Sequence, residues 1–225
     1  GAFAAACQLK IRPLPGVYRP GIAVVIPTFH GPVVVCDVGA NITPKPHHLY
    51  QYGVMASIYA EEMVGIRRPR VALLSVGEED AKGTGLIKQT RELIRSKGGM
   101  NFVGNVEGQD IWRGITDVVI CDGFAGNIVL KLTEGLAEGM IKTISHEVQQ
   151  EDPSLAEALR PVLERVWRKH DYSEYGGAPL LGADSVCIIC HGRSDHRAIR
   201  NAIRFAGMIV SRGINETFSR RVRPA

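Results

Sequence analysis

Three apolar runs in this chain finish in the same way, and that repetition limits the fold more than any other feature. "CDVGAN" (36–41), "SVGEEDAKG" (75–83) and "CDGFAGN" (121–127) each close a β-branched stretch with an acidic or small residue, pass into glycine, and open a helical pattern. Strands read as 33–39, 70–77, 101–107 and 117–123, and helices as 46–64, 84–96 and 127–149. Strand alternating with helix predicts parallel neighbours joined by crossover helices, and strands apolar throughout predict a sheet covered on both faces. The class is α/β, with a mostly parallel sheet.

The helix after Asp122 carries Val129, Leu132, Leu136, Met140, Ile144 and Val148, a stripe at steps of three and four that predicts one buried face. A second helical pattern follows at once in "DPSLAEALRPVLERVWRKH" (152–170). There Asp152 suits the cap, Pro153 the first turn, and Pro161 predicts a kink in a stripe of Leu155, Leu159, Val162, Val166 and Trp167. Two helices with no strand between them break the alternation. Residues 1–225 therefore read as one α/β unit with a helical hairpin inserted at 139–170, its faces serving a dimer, a membrane surface or packing on its own domain.

Composition excludes some classes. With 45% hydrophobic and 22% charged residues in 225, a core is available, yet no apolar run approaches the length of about 18 residues that a membrane span needs. The opening "GAFAAACQLK" has no initiator Met or leader pattern and reads as the middle of a helix, which predicts a truncated front. Five cysteines, three of them inside apolar runs, suit reduced core thiols and a cytoplasmic setting. The net charge is +4, and arginines gather in "GIRRPR" (65–70) and in "HGRSDHRAIRNAIRF" (191–205), where Arg197, Arg200 and Arg204 share a helix face. That ridge is either a solvated face or a seat for an acidic partner or phosphate. No aromatic residues interleave with it as a nucleic-acid platform requires, so nucleic acid is not an expected partner.

In an open parallel sheet the carboxyl ends of the strands share one edge, where ligands bind. Glycines there let backbone N–H groups approach a guest, and helix N-termini add partial positive charge, so the natural guest is an anion such as phosphate. Asp37, Gly39 and Asn41 belong to the first loop, Gly77 and Gly83 to the second, Gly123 and Gly126 to the third. Lys82 stands in the middle loop, where an ammonium neutralises a phosphate or an oxyanion. Asn127 and Lys131 share a helix face, although Lys131 reads equally as a surface residue. Asp37 and Asp122 either orient Lys82 or a hydroxyl, or cap their own turns.

"EYGGAPLLG" (174–182) adds Gly176 and Gly177, and "SVCIICHG" (185–192) follows. Cys187, Cys190 and His191 spell the C-x-x-C-H of covalent haem. In a strand, however, positions three apart face opposite ways, so the two thiols do not reach one haem edge. His191 and Ser194 read instead as a fourth contributor to the cleft or as turn residues.

Together these segments resemble the bacterial phosphate acyltransferase family (PlsX type) of membrane phospholipid synthesis. "DVGAN", "GEEDAKG", "GNVE", "DGFAGN", "YGGAPLLG" and "HGRS" stand in that family's order and approximate spacing, from residue 1 to about 210. The resemblance implies transfer of a fatty acyl group from acyl carrier protein to inorganic phosphate. It also implies a homodimer with a fold similar to isocitrate and isopropylmalate dehydrogenases, peripheral contact with the inner face of the membrane, and no cofactor or metal. Lys82, Asn127, Asp122 and Glu78 are the active-site residues it implies. Family members carry a further segment at the front, so the chain by itself is expected to have little activity. Two alternatives stay open: a phosphotransacetylase-like enzyme acting on acyl-CoA, and a non-catalytic module that binds an anion or a partner.

Overall fold

The structure is a computed structural model that describes residues 5–170, 176–192 and 194–222. Seven strands form one sheet: β1 (Gly21–Thr28), β2 (Gly31–Cys36), β3 (Arg70–Leu74), β4 (Asn101–Val106), β5 (Val118–Ile120), β6 (Ala178–Leu181) and β7 (Ile188–Ile189). Their order is β4-β3-β5-β2-β1-β6-β7. The four strands expected from the sequence are β2, β3, β4 and β5, and they pair in parallel. β1, β6 and β7 extend this half by antiparallel pairing. The sheet is thus mixed, with five of its seven strands running one way.

β1 was not among the expected strands. It folds back on β2 through a two-residue loop, Phe29–His30, with Thr28 opposite Gly31. The signal lay in two apolar runs separated by "FHG", a short hairpin pattern. This hairpin reverses the chain, so β7 runs against β2.

Among the described residues six α-helices complete the fold: α1 (Pro46–Tyr59), α2 (Gly85–Lys97), α3 (Gly123–Glu151), α4 (Pro153–His170), α5 (His196–Ser211) and α6 (Ile214–Arg221). A π-turn at Ala60–Val64 prolongs α1 to the end of the helix expected there. The strands alternate between two cores, as residues on a pleated backbone must. Val34, Cys36, Val71, Leu73 and Ile120 face α1, α2 and the last two helices, where Tyr52, Met55, Ile87, Ile94, Ile209 and Phe218 lie. Val33, Val35, Ala72, Val119 and Cys121 face the other way, with Cys7, Ile111 and Cys187. All five cysteines are free, four of them buried.

Two expectations need correction. α3 starts at Gly123, four residues before the expected 127, because Asp122 caps it. Its apolar stripe is not a buried face either, since Leu132 is 67% exposed and Leu136, Met140 and Ile144 are exposed with it. The physical reason is length: at about 1.5 Å per residue, α3 runs well past the short strand β5, and beyond Gly126 no described side chain in it is buried. Of the stripe, Val148 turns toward α4, where with Ile141 and Ser145 it faces Leu159, Leu163 and Trp167. Pro161 sits within α4 without dividing it. Among the described residues no helix is long and apolar enough to cross a membrane.

Candidate functional site

β2, β5, β3 and β4 are neighbours and parallel, so the loops leaving their carboxyl ends share one edge. Asp37, immediately after β2, organises it. Its buried carboxylate accepts from Ile22 N (3.0 Å), Gly39 N (3.2 Å) and Ala40 N (3.0 Å) through Oδ1, and from Asn41 N (2.6 Å) through Oδ2. Burial raises its pKa above the ordinary carboxylate value, and the four backbone N–H groups partly offset that rise. Of the two roles left open for Asp37, this is the turn cap. Asn41 extends the web, donating from Nδ2 to Pro20 O (2.8 Å) and to the Tyr52 hydroxyl (2.7 Å), while Arg19 Nη1 reaches its Oδ1 at 3.5 Å. Burial, followed by the Asp37 charge, pushes the Tyr52 hydroxyl well up.

The third loop closes onto the first. Asp122 Oδ1 accepts from Phe124 N and Ala125 N, both at 3.0 Å, Gly123 N donates to Asn41 O (2.8 Å), and Gly126 N donates to Asp122 O (3.0 Å). The amides of residues 123–126, expected to greet an anion, are therefore taken up by the protein. The reason is the N-cap: an Asp there brings its own carboxylate to the positive end of the helix. What the glycines supply is closeness. A Cβ on Gly126 would overlap the Asp37 carbonyl oxygen, and one on Gly123 would lie 2.8 Å from Asn41 O. The first turn of α3 thus rests on loop 37–41. Gly39, at φ +134°, brings its α-carbon next to the exposed Asn127, whose Oδ1 lies 3.7 Å from where a Cβ would stand.

The middle loop leaves β3, one strand from β5 and two from β2, so it stands about 5 Å and about 10 Å from those exits. Lys82 folds its stem over Gly77, whose Cβ position is 2.9 Å from Lys82 Cγ, and its backbone N donates to Glu79 O at 2.9 Å. Lys82 and Glu78 are exposed, and no hydrogen bond of the Lys82 ammonium is present among the described residues. Gly83, at φ +93°, closes the loop against Ser75.

A second group of expected residues lies elsewhere. β7 runs against β2, so His191 leaves the sheet at the opposite edge. There Lys131 Nζ donates to Glu134 Oε2 (2.7 Å) and stands 3.0 Å from His191 Nε2. Gly177 packs beside Ile189 O and Gly176 beside Asn201 O, while Ser194 N donates to His191 O (3.0 Å). The fourth strand terminus therefore leaves the sheet away from the other three, with the His191 carbonyl in a turn and its ring beside Lys131. Lys131 sits two turns along α3, about 12 Å from its start. Tyr175 and Arg193, part of "YGGAPLLG" and "HGRS", lie outside the described residues.

The expected set omitted an aromatic and cationic cluster at the start of α1, beside Asn41. Tyr18, His47 and His48 stack edge to face, with ring centroids 4.6 Å and 4.3 Å apart along the series, and His48 Nδ1 accepts from Lys45 N at 3.0 Å. Burial first, then the charges of His47, Arg19 and Lys45, push His48 down to about 4. "KPHH" ahead of an apolar run was the available signal. The arginine-rich segments divide. Arg70 is held in a fork by Asp117 (2.8 and 2.9 Å), whereas Arg197, Arg200 and Arg204 are exposed along α5. Among the described residues no cluster of His, Cys, Asp or Glu is arranged to hold a metal ion.

Comparison with known proteins adds to this geometry. The family model described as fatty acid synthesis protein matches residues 1–217. A phosphate acyltransferase of Nitratidesulfovibrio vulgaris is 46% identical over 218 residues, 96% of this chain and 63% of that protein. Its counterparts in Geotalea uraniireducens and Geobacter sulfurreducens are 45% and 43% identical, each covering 99% of this chain and 65% and 64% of their own lengths. The chain thus spans a little under two thirds of these relatives. Among solved structures, a phosphotransacetylase from Streptococcus pyogenes superposes with a TM-score of 0.59 at 16% identity, covering 92% of this chain and 59% of that one. The EutD phosphotransacetylase from Staphylococcus aureus does so with 0.52 at 15%, covering 92% and 58%. At these identities the likeness establishes the fold alone.

Proposed function

Because the chain belongs to the fatty acid synthesis protein family, we propose that it forms the strand-end edge of a phosphate acyltransferase. The reaction moves a fatty acyl group from acyl carrier protein to inorganic phosphate, giving acyl phosphate for phospholipid synthesis. A phosphate oxygen attacks the thioester carbonyl, an oxyanion forms, the C–S bond breaks, and the thiolate leaves and takes a proton. Such chemistry is mostly positioning and charge stabilisation.

One observation carries this reading: Asn127 is exposed near the start of α3, beside Gly39, with the Lys82 loop one strand away on the same edge. In the proposal Asn127 donates its amide N–H to the oxyanion, and Lys82 polarises the carbonyl or neutralises the attacking phosphate. Glu78 sits on the same loop as Lys82. Asp122 acts through the helix end that it caps. The exposed arginines of α5 would receive an acidic carrier protein. Hydroxylamine trapping of acyl phosphate, with acyl carrier protein and CoA thioesters compared as donors, tests this. Turnover with CoA thioesters alone would favour a phosphotransacetylase activity, and phosphate binding without product would favour a non-catalytic module.

The exposed stripe Leu132, Leu136, Met140 and Ile144 supports a second part of the proposal, a homodimer formed through the α3–α4 arm with its outer face against the membrane. Sedimentation and vesicle flotation of a Leu136→Glu variant separate these two uses. The wider kinship with isocitrate and isopropylmalate dehydrogenases belongs to the same reading and is tested by superposition on them.

A further inference from the structure

Beneath the loop 75–83, on the α2 side of the sheet, three side chains hold buried polar atoms that make no hydrogen bond among the described residues. Arg91 on α2 is 6% exposed, and neither its Nε nor its Nη1 makes a hydrogen bond. Its carboxylate neighbour, Asp80, stands 3.5 Å from Nε and gives both oxygens to Arg95, at 2.6 and 3.0 Å. Asn105, also buried, donates from Nδ2 to Glu79 O at 3.3 Å, which leaves its Oδ1 without a donor. Ser75 Oγ is likewise unmet and lies against Gly83.

These groups share one place. Asn105 is the register partner of Leu73, and Ser75 lies two residues beyond Leu73 and keeps the ladder through Ser75 N to Val106 O (2.8 Å). With side chains alternating along a strand, both therefore face the layer that holds Leu73 together with Ile87 and Ile94 of α2. Arg91 comes from that same helix. The loop above them carries Lys82 at the candidate site.

Asp80 meets this guanidinium only at Nε, and beyond hydrogen-bond reach, so Nη1 stays idle, and a buried N–H group of a cation without an acceptor is costly. The fork of an arginine with a hydroxyl beside it suits a tetrahedral oxyanion. Asn105 Oδ1 only accepts, so a fully deprotonated oxyanion would meet it lone pair to lone pair, whereas one that keeps a proton would donate to it. We propose that Arg91, Ser75 and Asn105 form a binding site for hydrogen phosphate, with Arg91 and Ser75 donating to its oxygens and Asn105 Oδ1 accepting a hydrogen bond from its P–OH group. Sulfate has the same shape but carries no proton at neutral pH, so the site discriminates against it. The site rests on the acyltransferase reading only for the role of this phosphate as acyl acceptor.

Titration calorimetry of the chain with inorganic phosphate, sulfate and methyl phosphate, at matched ionic strength, tests the site. Phosphate should bind at least about tenfold more tightly than sulfate, and Arg91→Met should weaken phosphate binding about tenfold to hundredfold, the range for losing hydrogen bonds to a charged group. Arg91→Lys should fall between. Equal binding of sulfate, or wild-type phosphate affinity in Arg91→Met, overturns the proposal, and preferred binding of methyl phosphate overturns the assignment to free phosphate. If Arg91→Met does not fold by circular dichroism, Ser75→Ala and Asn105→Leu decide: the first should weaken phosphate several-fold and the second should erase the preference over sulfate. In turnover by the whole protein, Arg91→Met should raise KM for phosphate and leave KM for the acyl donor unchanged. Phosphate binding that depends on Arg91 without acyl phosphate formation would reject the acyltransferase reading and keep the site. Turnover with an unaltered phosphate KM in Arg91→Met would do the reverse.

Discussion

Replacing Gly126 with alanine probes the joint that holds Asn127 in place. A methyl group there would overlap the Asp37 carbonyl oxygen and come within 2.8 Å of Cys121 Sγ and 2.9 Å of the Asp37 carbonyl carbon. Two of these three atoms are backbone, fixed by the N–H groups that the Asp37 carboxylate gathers, so no side chain can rotate away. Alanine in a helix is favoured over glycine by up to about 1 kcal/mol. Overpacking a rigid contact costs about 1–3 kcal/mol and occasionally more, and separating α3 from loop 37–41 also strains the Gly123 N to Asn41 O bond. Net destabilisation of about 2 kcal/mol is expected, which for a domain of this size lowers Tm by about 4–8 °C. Gly135→Ala is the control, because a Cβ there meets nothing within 4 Å and should stabilise α3 slightly. Thermal unfolding followed by circular dichroism reads both. A Gly126→Ala protein melting within about 1 °C of the wild type would refute the close contact.

Other outcomes follow from the same geometry. Asp37→Asn turns an amide N–H group toward backbone donors and should destabilise by about 2–4 kcal/mol, measured by urea unfolding. His48 binds its proton less readily folded than at its ordinary value of 6.5, so as pH falls from there toward about 4 the unfolded chain takes up the proton first and stability is lost. The wild type should therefore weaken between about pH 7 and about pH 5, and His48→Gln should weaken less; identical slopes would remove His48 from the explanation. Leu136→Glu should shift sedimentation to the monomer if the arm pairs two copies, and an unchanged sedimentation coefficient would discard that use of the stripe.

The parallel half of the sheet was legible because each of its strands carries its own local signature, an apolar run closed by an acid or small residue and glycine. The convergence of 36–41, 75–83 and 121–127 followed from that alone. What was hidden depended on pairing between distant segments. The β1–β2 hairpin had its local signal in "FHG", but no local pattern states that β1 also pairs antiparallel with β6 and β6 with β7, and that course sends His191 to the far edge. Asp122 is legible as a residue but not as the resident anion of α3, since the glycines of "DGFAGN" read as a loop rather than as the first turn of a helix. Arg91 reads in sequence as one polar position on an amphipathic helix, and only its burial and its approach to Asp80 reveal that it lies beneath the loop. The exposed stripe of α3 misled for the opposite reason: helical periodicity marks an apolar face without saying whether the same chain covers it.

The most direct measurement is acyl phosphate formation by purified Lys82→Met and Asn127→Leu variants whose melting temperatures match the wild type. Losing a charge or donor aimed at a developing oxyanion costs about a hundredfold to a thousandfold in kcat, and that is the fall expected of each variant. A folded Lys82→Met protein that transfers acyl groups at the normal rate would contradict the placement of the chemistry at this edge.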